Sequence, residues 1–230
     1  KTAIPEFILF SNASVHDVNA LDFISFEANS FYIMDKGYVD YKRLYRIHLC
    51  NAFFVTRAKD NMNYRRLYSH PKGIKKGVIY DQTIMLNNYY ASKDYPEKLR
   101  IIKFTDDLSG LTLIFLTNNF HLNATDIALL YKARWDIEMF FKWIKQHLKI
   151  KSFWGQSENA VKTQIWIAIS VYVLVAIAKK KFMLNQTLYE ILQILSISLF
   201  EKMPINQLFQ ETQLQYFKEL NDNQLTLFYL

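Results

Sequence analysis

Three short apolar runs separated by two amphipathic segments open the chain, and that rhythm restricts its fold more than any other feature. Phe7-Ile8-Leu9-Phe10, Phe31-Tyr32-Ile33-Met34 and Ala52-Phe53-Phe54-Val55-Thr56 have the length and apolar continuity of buried strands. Between the first two, Asp17 to Glu27 places Val18, Leu21, Phe23, Ile24 and Phe26 at mostly helical spacing, with Ser14 as a candidate cap. Between the last two, Val39 to Leu49 predicts a helix with Leu44 and Ile47 inward and Lys42, Arg43 and Arg46 on its flank. Strand, helix, strand, helix, strand is the order of an α/β sheet with crossover connections.

The pattern then changes. From Asp60 to Thr117 short alternating runs are broken by polar residues, and Ile101–Thr105 and Leu111–Leu116 flank Asp106-Asp107-Leu108-Ser109-Gly110, a hairpin signature. This stretch reads as an antiparallel insertion. Its loop His70-Pro71-Lys72-Gly73-Ile74-Lys75-Lys76-Gly77 is either a solvated turn or a phosphate contact. A long helix is expected from Asn123 or Thr125 to about Leu148, and everything after Glu158 has helical periodicity. Ile165 to Ala178 is almost continuously apolar, but its 14 residues fall short of a bilayer span. Lys179, Lys180 and Lys181 follow it, which suits the C-terminus of a buried helix.

Composition narrows the function. With 51% hydrophobic residues in 230, the chain has material for a real core, and its few glycines and prolines exclude a low-complexity or collagen-like chain. The single Cys50 cannot form an internal disulfide and fits a reducing, cytoplasmic compartment. The net charge of +7 is unevenly placed. Residues 1–58 balance six bases against six acids, whereas 59–122 hold ten against six and 123–182 ten against four. Residues 183–230 are acidic, with two bases and five acids. A basic middle interleaved with Tyr, Trp and Phe suits a polyanion with stackable bases.

One stripe on the long helix carries chemistry. At 100° per residue, Tyr131, Arg134, Glu138, Lys142 and Lys145 share an arc of about 80°. Apolar residues such as Ile137, Phe140, Trp143 and Ile144 surround it. On charge pattern alone, an exposed Arg134–Glu138–Lys142 ladder is the simpler explanation. Asp35 changes the balance, because it ends a buried strand, where open α/β sheets place ligand-binding groups. A strand-end Asp with a helix Glu is half of a carboxylate cluster for Mg²⁺, which takes oxygen ligands and serves in-line phosphoryl displacement. Alone, such an Asp is equally a helix cap.

The spacing Tyr131-x2-Arg134-x3-Glu138-x6-Lys145 resembles the signature of the insertion-sequence-four family of DDE transposases. Tyr32-Ile33-Met34-Asp35-Lys36-Gly37-Tyr38-Val39-Asp40 is similar to that family's second-aspartate motif, and Phe53–Lys59 to the segment after it. The resemblance covers roughly residues 1–182. It implies an α/β, ribonuclease-H-like mixed sheet, incomplete at its N-terminus, with an antiparallel β insertion and a helical C-terminal region. The core would occupy 1–58, the insertion 59–122, the closing helices 123–182 and a helical tail 183–230. Asp35 and Glu138 would be catalytic, metal-binding acids for Mg²⁺ or Mn²⁺. Arg57, Tyr131, Arg134, Lys142 and Lys145 would contact DNA at transposon ends, in a complex containing a homodimer. Trp135, Trp143 and Trp154 would stack a displaced base or, as is commoner for Trp, pack in the core.

The family's first catalytic Asp belongs to a strand upstream of the matched region, and neither Asp17 nor Asp22 substitutes for it. The expectation is therefore a truncated transposase, inactive alone and poorly stable because a central strand is missing. The alternative is a non-catalytic DNA-binding remnant that inhibits or assists an intact transposase.

Overall fold

The computed structural model describes residues 4–6, 8–10, 16–71, 77–148, 153–198, 204 and 207–209. The chain divides into two compact units, one comprising Phe7–Glu138 and the other Lys1–Glu6 with Met139–Leu230.

In the first unit the described strands form one six-stranded sheet. They are β1 (Phe31–Ile33), β2 (Phe53–Arg57), β3 (Tyr64–Ser69), β4 (Val78–Leu86), β5 (Leu99–Thr105) and β6 (Thr112–Thr117), in the spatial order β1-β2-β6-β5-β4-β3. Only β1 and β2 are parallel, with Phe31, Tyr32 and Ile33 opposite Phe53, Phe54 and Val55. Their crossover contains α1 (Tyr41–Leu49), as a parallel pair requires. The remaining neighbours are antiparallel. The expected hairpin is β5–β6, and β6 also pairs with β2, so β3 to β6 continue the sheet that β1 and β2 begin.

Both faces of the sheet are covered at β2, β5 and β6. Successive residues on a strand point to opposite faces. Phe54, Ile101 and Leu116 therefore enter one core with Leu44, Ile47 and Tyr95. Val55, Ile102 and Phe115 enter a second core with Ile127, Ala128 and Tyr131 of α3 (Ala124–Lys132). Burial on both sides is why these strands read as continuous apolar runs rather than alternating ones.

Polar groups close the ends of the sheet. Where β6 stops, the Asn118 amide continues its ladder, accepting from Phe54 N at 2.9 Å and donating to Ala52 O at 2.9 Å. A buried Arg100 on β5 makes a two-pronged pair with Asp81 on β4, at 2.8 and 2.7 Å. Its remaining nitrogen donates to the carbonyls of Asn119 and Leu122, just before α3.

Three early expectations are corrected. Ile8–Phe10 are not strand, while Phe7 lies outside the described residues, as does the candidate cap Ser14. Asp17–Phe23 forms a 3-10 helix rather than an α-helix. In that tighter winding, residues three apart eclipse. Asn19 and Asp22 accordingly both accept from Arg43 of α1. The helix expected from Val39 begins at Tyr41, with Asp40 as its cap through a 2.9 Å bond from Arg43 N.

In the second unit, α5 (Glu158–Lys181) is 24 residues long, extending well beyond the apolar segment seen in the sequence. It has the length and apolar composition of a membrane span. Its Ala168, Ile169, Tyr172, Val175 and Ala176 are buried within the protein. Val175 packs with Ile191 of α6 (Leu188–Ile197) and with Phe209. Ser157 caps α5, and a reciprocal Thr187–Glu190 capping box starts α6. The basic residues Lys72, Lys75 and Lys76 of the loop noted above lie outside the described residues, as does most of the tail after Ser198.

Candidate active site

Asp35 stands two residues beyond the end of β1, and Arg57 is the last residue of the parallel neighbour β2. Ile33 is opposite Val55, so continuing the register by two brings Asp35 beside Arg57. The arginine donates from Nε at 3.1 Å and from a terminal nitrogen at 2.6 Å, both to Oδ1 of Asp35. The amide of Lys36 donates to the same oxygen at 2.6 Å. Asp35 thus ends a strand and also caps the short 3-10 helix Lys36–Tyr38. All three donors converge on Oδ1, and Oδ2 accepts no hydrogen bond among the described residues. Burial pushes the Asp35 carboxyl up. The Arg57 and Lys36 hydrogen bonds and the charges of Arg57 and Arg134 outweigh it, holding the group below the usual carboxylate range.

The expected single helix is two helices. α3 ends at Lys132, and α4 (Trp135–His147) begins three residues on. Across the junction, the amides of Ala133, Arg134, Asp136 and Ile137 each bond the carbonyl three residues back, at 3.0 to 3.2 Å. No Gly or Pro marks this place, so periodicity alone gave no warning. Three-residue winding eclipses positions i and i+3. It brings the Arg134 guanidinium over the Tyr131 ring, 5.6 Å from its centroid, where a continuous α-helix would set the two side chains about 60° apart.

From that position Arg134 pairs with Glu138 at 2.7 Å. Burial works against its charge, but the Glu138 hydrogen bond and the charges of Tyr131, Glu138 and Asp35 outweigh it and raise its already high proton affinity. Both candidate acids therefore feel the charge of Arg134. Tyr131 is 5% exposed, its ring 5.0 Å from Phe115. Burial raises its phenol pKa despite the nearby arginines, so the hydroxyl remains a donor. The Tyr131 hydroxyl and Arg134 Nε are buried without a well-formed hydrogen bond, although the two side chains lie close enough to interact with each other.

The structure thus gathers Asp35, Arg57, Tyr131, Arg134 and Glu138. Lys142 and Lys145 are exposed on the part of α4 that belongs to the second unit. Trp143 packs edge-on against Tyr172 at 5.1 Å, as burial predicts. Trp135 and Trp154 are instead 57% and 93% exposed, which overturns core packing for those two. The Asp35–Arg57 pair was not anticipated from sequence. Its signal was present in the equal offsets of the two residues from paired strand positions.

Asp35 keeps Oδ2 free of the arginine that holds Oδ1, and Glu138 is paired through Oε1. Oxygen donors of this kind suit Mg²⁺, which commonly binds one or two carboxylates and completes its shell with water and phosphate. They do not suit an all-protein cage. Among the described residues, no three His, Cys, Asp or Glu side chains gather as ligands.

Residues 1–174 match the family described as the transposase DDE domain, and the chain belongs to that family. It is 36% identical over 206 residues to a protein of Sinorhizobium fredii named as a transposase, an alignment covering 87% of this chain and 57% of that one. A Geobacillus stearothermophilus protein named as the transposase for insertion sequence element IS5377 is 32% identical over 149 residues, covering 64% and 39%. A Synechocystis protein named for element IS4SA is 27% identical over 157 residues, covering 64% and 40%. The chain spans little more than half the length of the first of these relatives and less of the others.

Proposed function

We propose that this member of the transposase DDE-domain family binds DNA at the ends of an insertion sequence. Asp35 and Glu138 would be the acids of its cutting and joining chemistry. The observation that carries the proposal is the pairing of both acids with arginines, Asp35 with Arg57 at the ends of paired strands and Glu138 with Arg134 at the α3–α4 junction. The oxygens of a phosphodiester are acceptors for the arginine N–H groups, and they would complete the shell of a divalent ion held by the acids.

Arg57 and Arg134 serve two ends in this arrangement. Without DNA they neutralise Asp35 and Glu138 and fix which carboxylate oxygen faces outward. With DNA, their remaining accessible N–H groups orient the phosphate for in-line attack by water or by a strand end. A bound Mg²⁺ or Mn²⁺ would activate the nucleophile and stabilise the leaving oxygen. Lys142 and Lys145 add positive charge further along α4, for backbone contacts that carry no sequence information. A second copy in the DNA complex and a cytoplasmic location go with this role.

Two acids fall short of a complete catalytic set, so the chain by itself is expected to bind DNA without cutting it. The test uses the purified 230-residue chain with a labelled duplex and with supercoiled plasmid in Mg²⁺ or Mn²⁺. Salt-sensitive duplex binding, weakened by Arg134→Gln and without nicking, is the expected result. Absence of binding at low salt overturns the proposal. Metal-dependent nicking abolished by Asp35→Asn or Glu138→Gln confirms the acids and overturns the inactivity of the isolated chain. A DNA-binding protein that acts only on an intact transposase would show binding insensitive to Glu138→Ala, with neither acid needed.

A further inference from the structure

At the far edge of the sheet from β1, strand β3 has the sequence Tyr64-Arg65-Arg66-Leu67-Tyr68-Ser69, and every residue after Tyr64 is exposed. Among the described residues it pairs with β4 on one side only, leaving a row of main-chain groups facing outward. Arg65 and Arg66 are consecutive, so their side chains leave on opposite faces and straddle that edge. Neither forms an ion pair with a carboxylate among the described residues. The only hydrogen bond Arg65 makes there is a long one, 3.9 Å, to the sulfur of Met85. The register slips between Arg66 and Tyr68, so Leu67 bulges from the ladder and the edge twists.

Charged residues and a bulge are the devices that keep an edge from accepting another strand. They leave an edge that is cationic on both sides, with outward amides between the charges. We propose that β3 is a second DNA contact, in which a phosphate backbone lies along the strand edge between Arg65 and Arg66. The inference rests on the DNA-binding function proposed above and adds a surface to it. Four strand spacings separate β2 from β3, or roughly 19 Å. At 3.4 Å per base pair, β3 would meet duplex about five to six base pairs from the phosphate at Arg57. Contacts there would be to backbone rather than bases, because Arg65 and Arg66 diverge to opposite faces of the strand and the phosphates lie between them.

The test compares the wild-type chain with Arg65→Gln/Arg66→Gln on a fluorescein-labelled 30-base-pair duplex of arbitrary sequence, with affinity measured across a salt series. Each phosphate contact contributes about 0.9 to the slope of log affinity against log salt. The double variant should therefore lose about 1.8 from the wild-type slope, with its melting temperature unchanged because both side chains are exposed. An unchanged slope overturns the proposal. So does an unchanged slope with new self-association by sedimentation, which would make β3 a guarded strand-pairing edge instead. If wild type does not bind at all while Arg134→Gln behaves alike, it is the underlying DNA-binding function that has failed.

Discussion

Changing Tyr131 to Phe should make this protein more stable. The ring sits in the core with Ile127, Val55 and Phe115, and Arg134 lies over it at 5.6 Å. Phe keeps that packing and most of the cation–π attraction, itself about 0.5–1 kcal/mol at such a site. What disappears is a hydroxyl buried without a partner. A buried polar group left unsatisfied costs about 1–3 kcal/mol, so deleting it should raise unfolding free energy by up to about 1 kcal/mol after small packing losses. Tyr131→Ala, which also removes the ring, should instead cost about 3–5 kcal/mol. Urea denaturation followed by circular dichroism reads both. A loss of more than about 1 kcal/mol in stability would refute the reasoning, because it would mean that the hydroxyl already has a partner.

Arg100→Met should lose about 3–5 kcal/mol, since it strands the buried Asp81 carboxylate and two carbonyls before α3. Adding Asp81→Leu should recover part of that loss in urea titrations. If the single variant costs under about 1 kcal/mol, the pair is not desolvated. Because the Asp35 carboxyl is held below its ordinary value of 3.8, its pairing contributes fully above that pH and fades as pH falls through the lower folded value. Acid titration of the unfolding midpoint should show this dependence in wild type and a weaker one in Arg57→Gln. The effect should be small, because the side chain is 39% exposed and screened by water. Thr187→Ala should cost about 1 kcal/mol by breaking the α6 capping box, seen as faster amide exchange through Leu188–Ile191.

Much of this was legible in the residues alone. The runs at Phe31, Phe53, Ile101 and Leu111 specified strands because each is short, apolar and bounded by turn residues. The spacing of Tyr131, Arg134 and Glu138, with Asp35 behind a strand, marked the candidate site and its family before any contact was known. Local pattern does not carry pairing. That β6 lies against β2, and that Asp35 faces Arg57 across a parallel register, depends on segments far apart in sequence. The break between α3 and α4 was also invisible, since helix propensity runs through Ala133 and Arg134 without interruption. Tertiary packing chose three-residue winding there, with Tyr131 buried against Phe115 on the sheet and Arg134 reaching Glu138. The sequence determined which residues were available for chemistry. Only the fold decided which oxygen of each acid is held and which buried donors lack a well-formed hydrogen bond, because those depend on the convergence of β1, β2 and the α3–α4 junction.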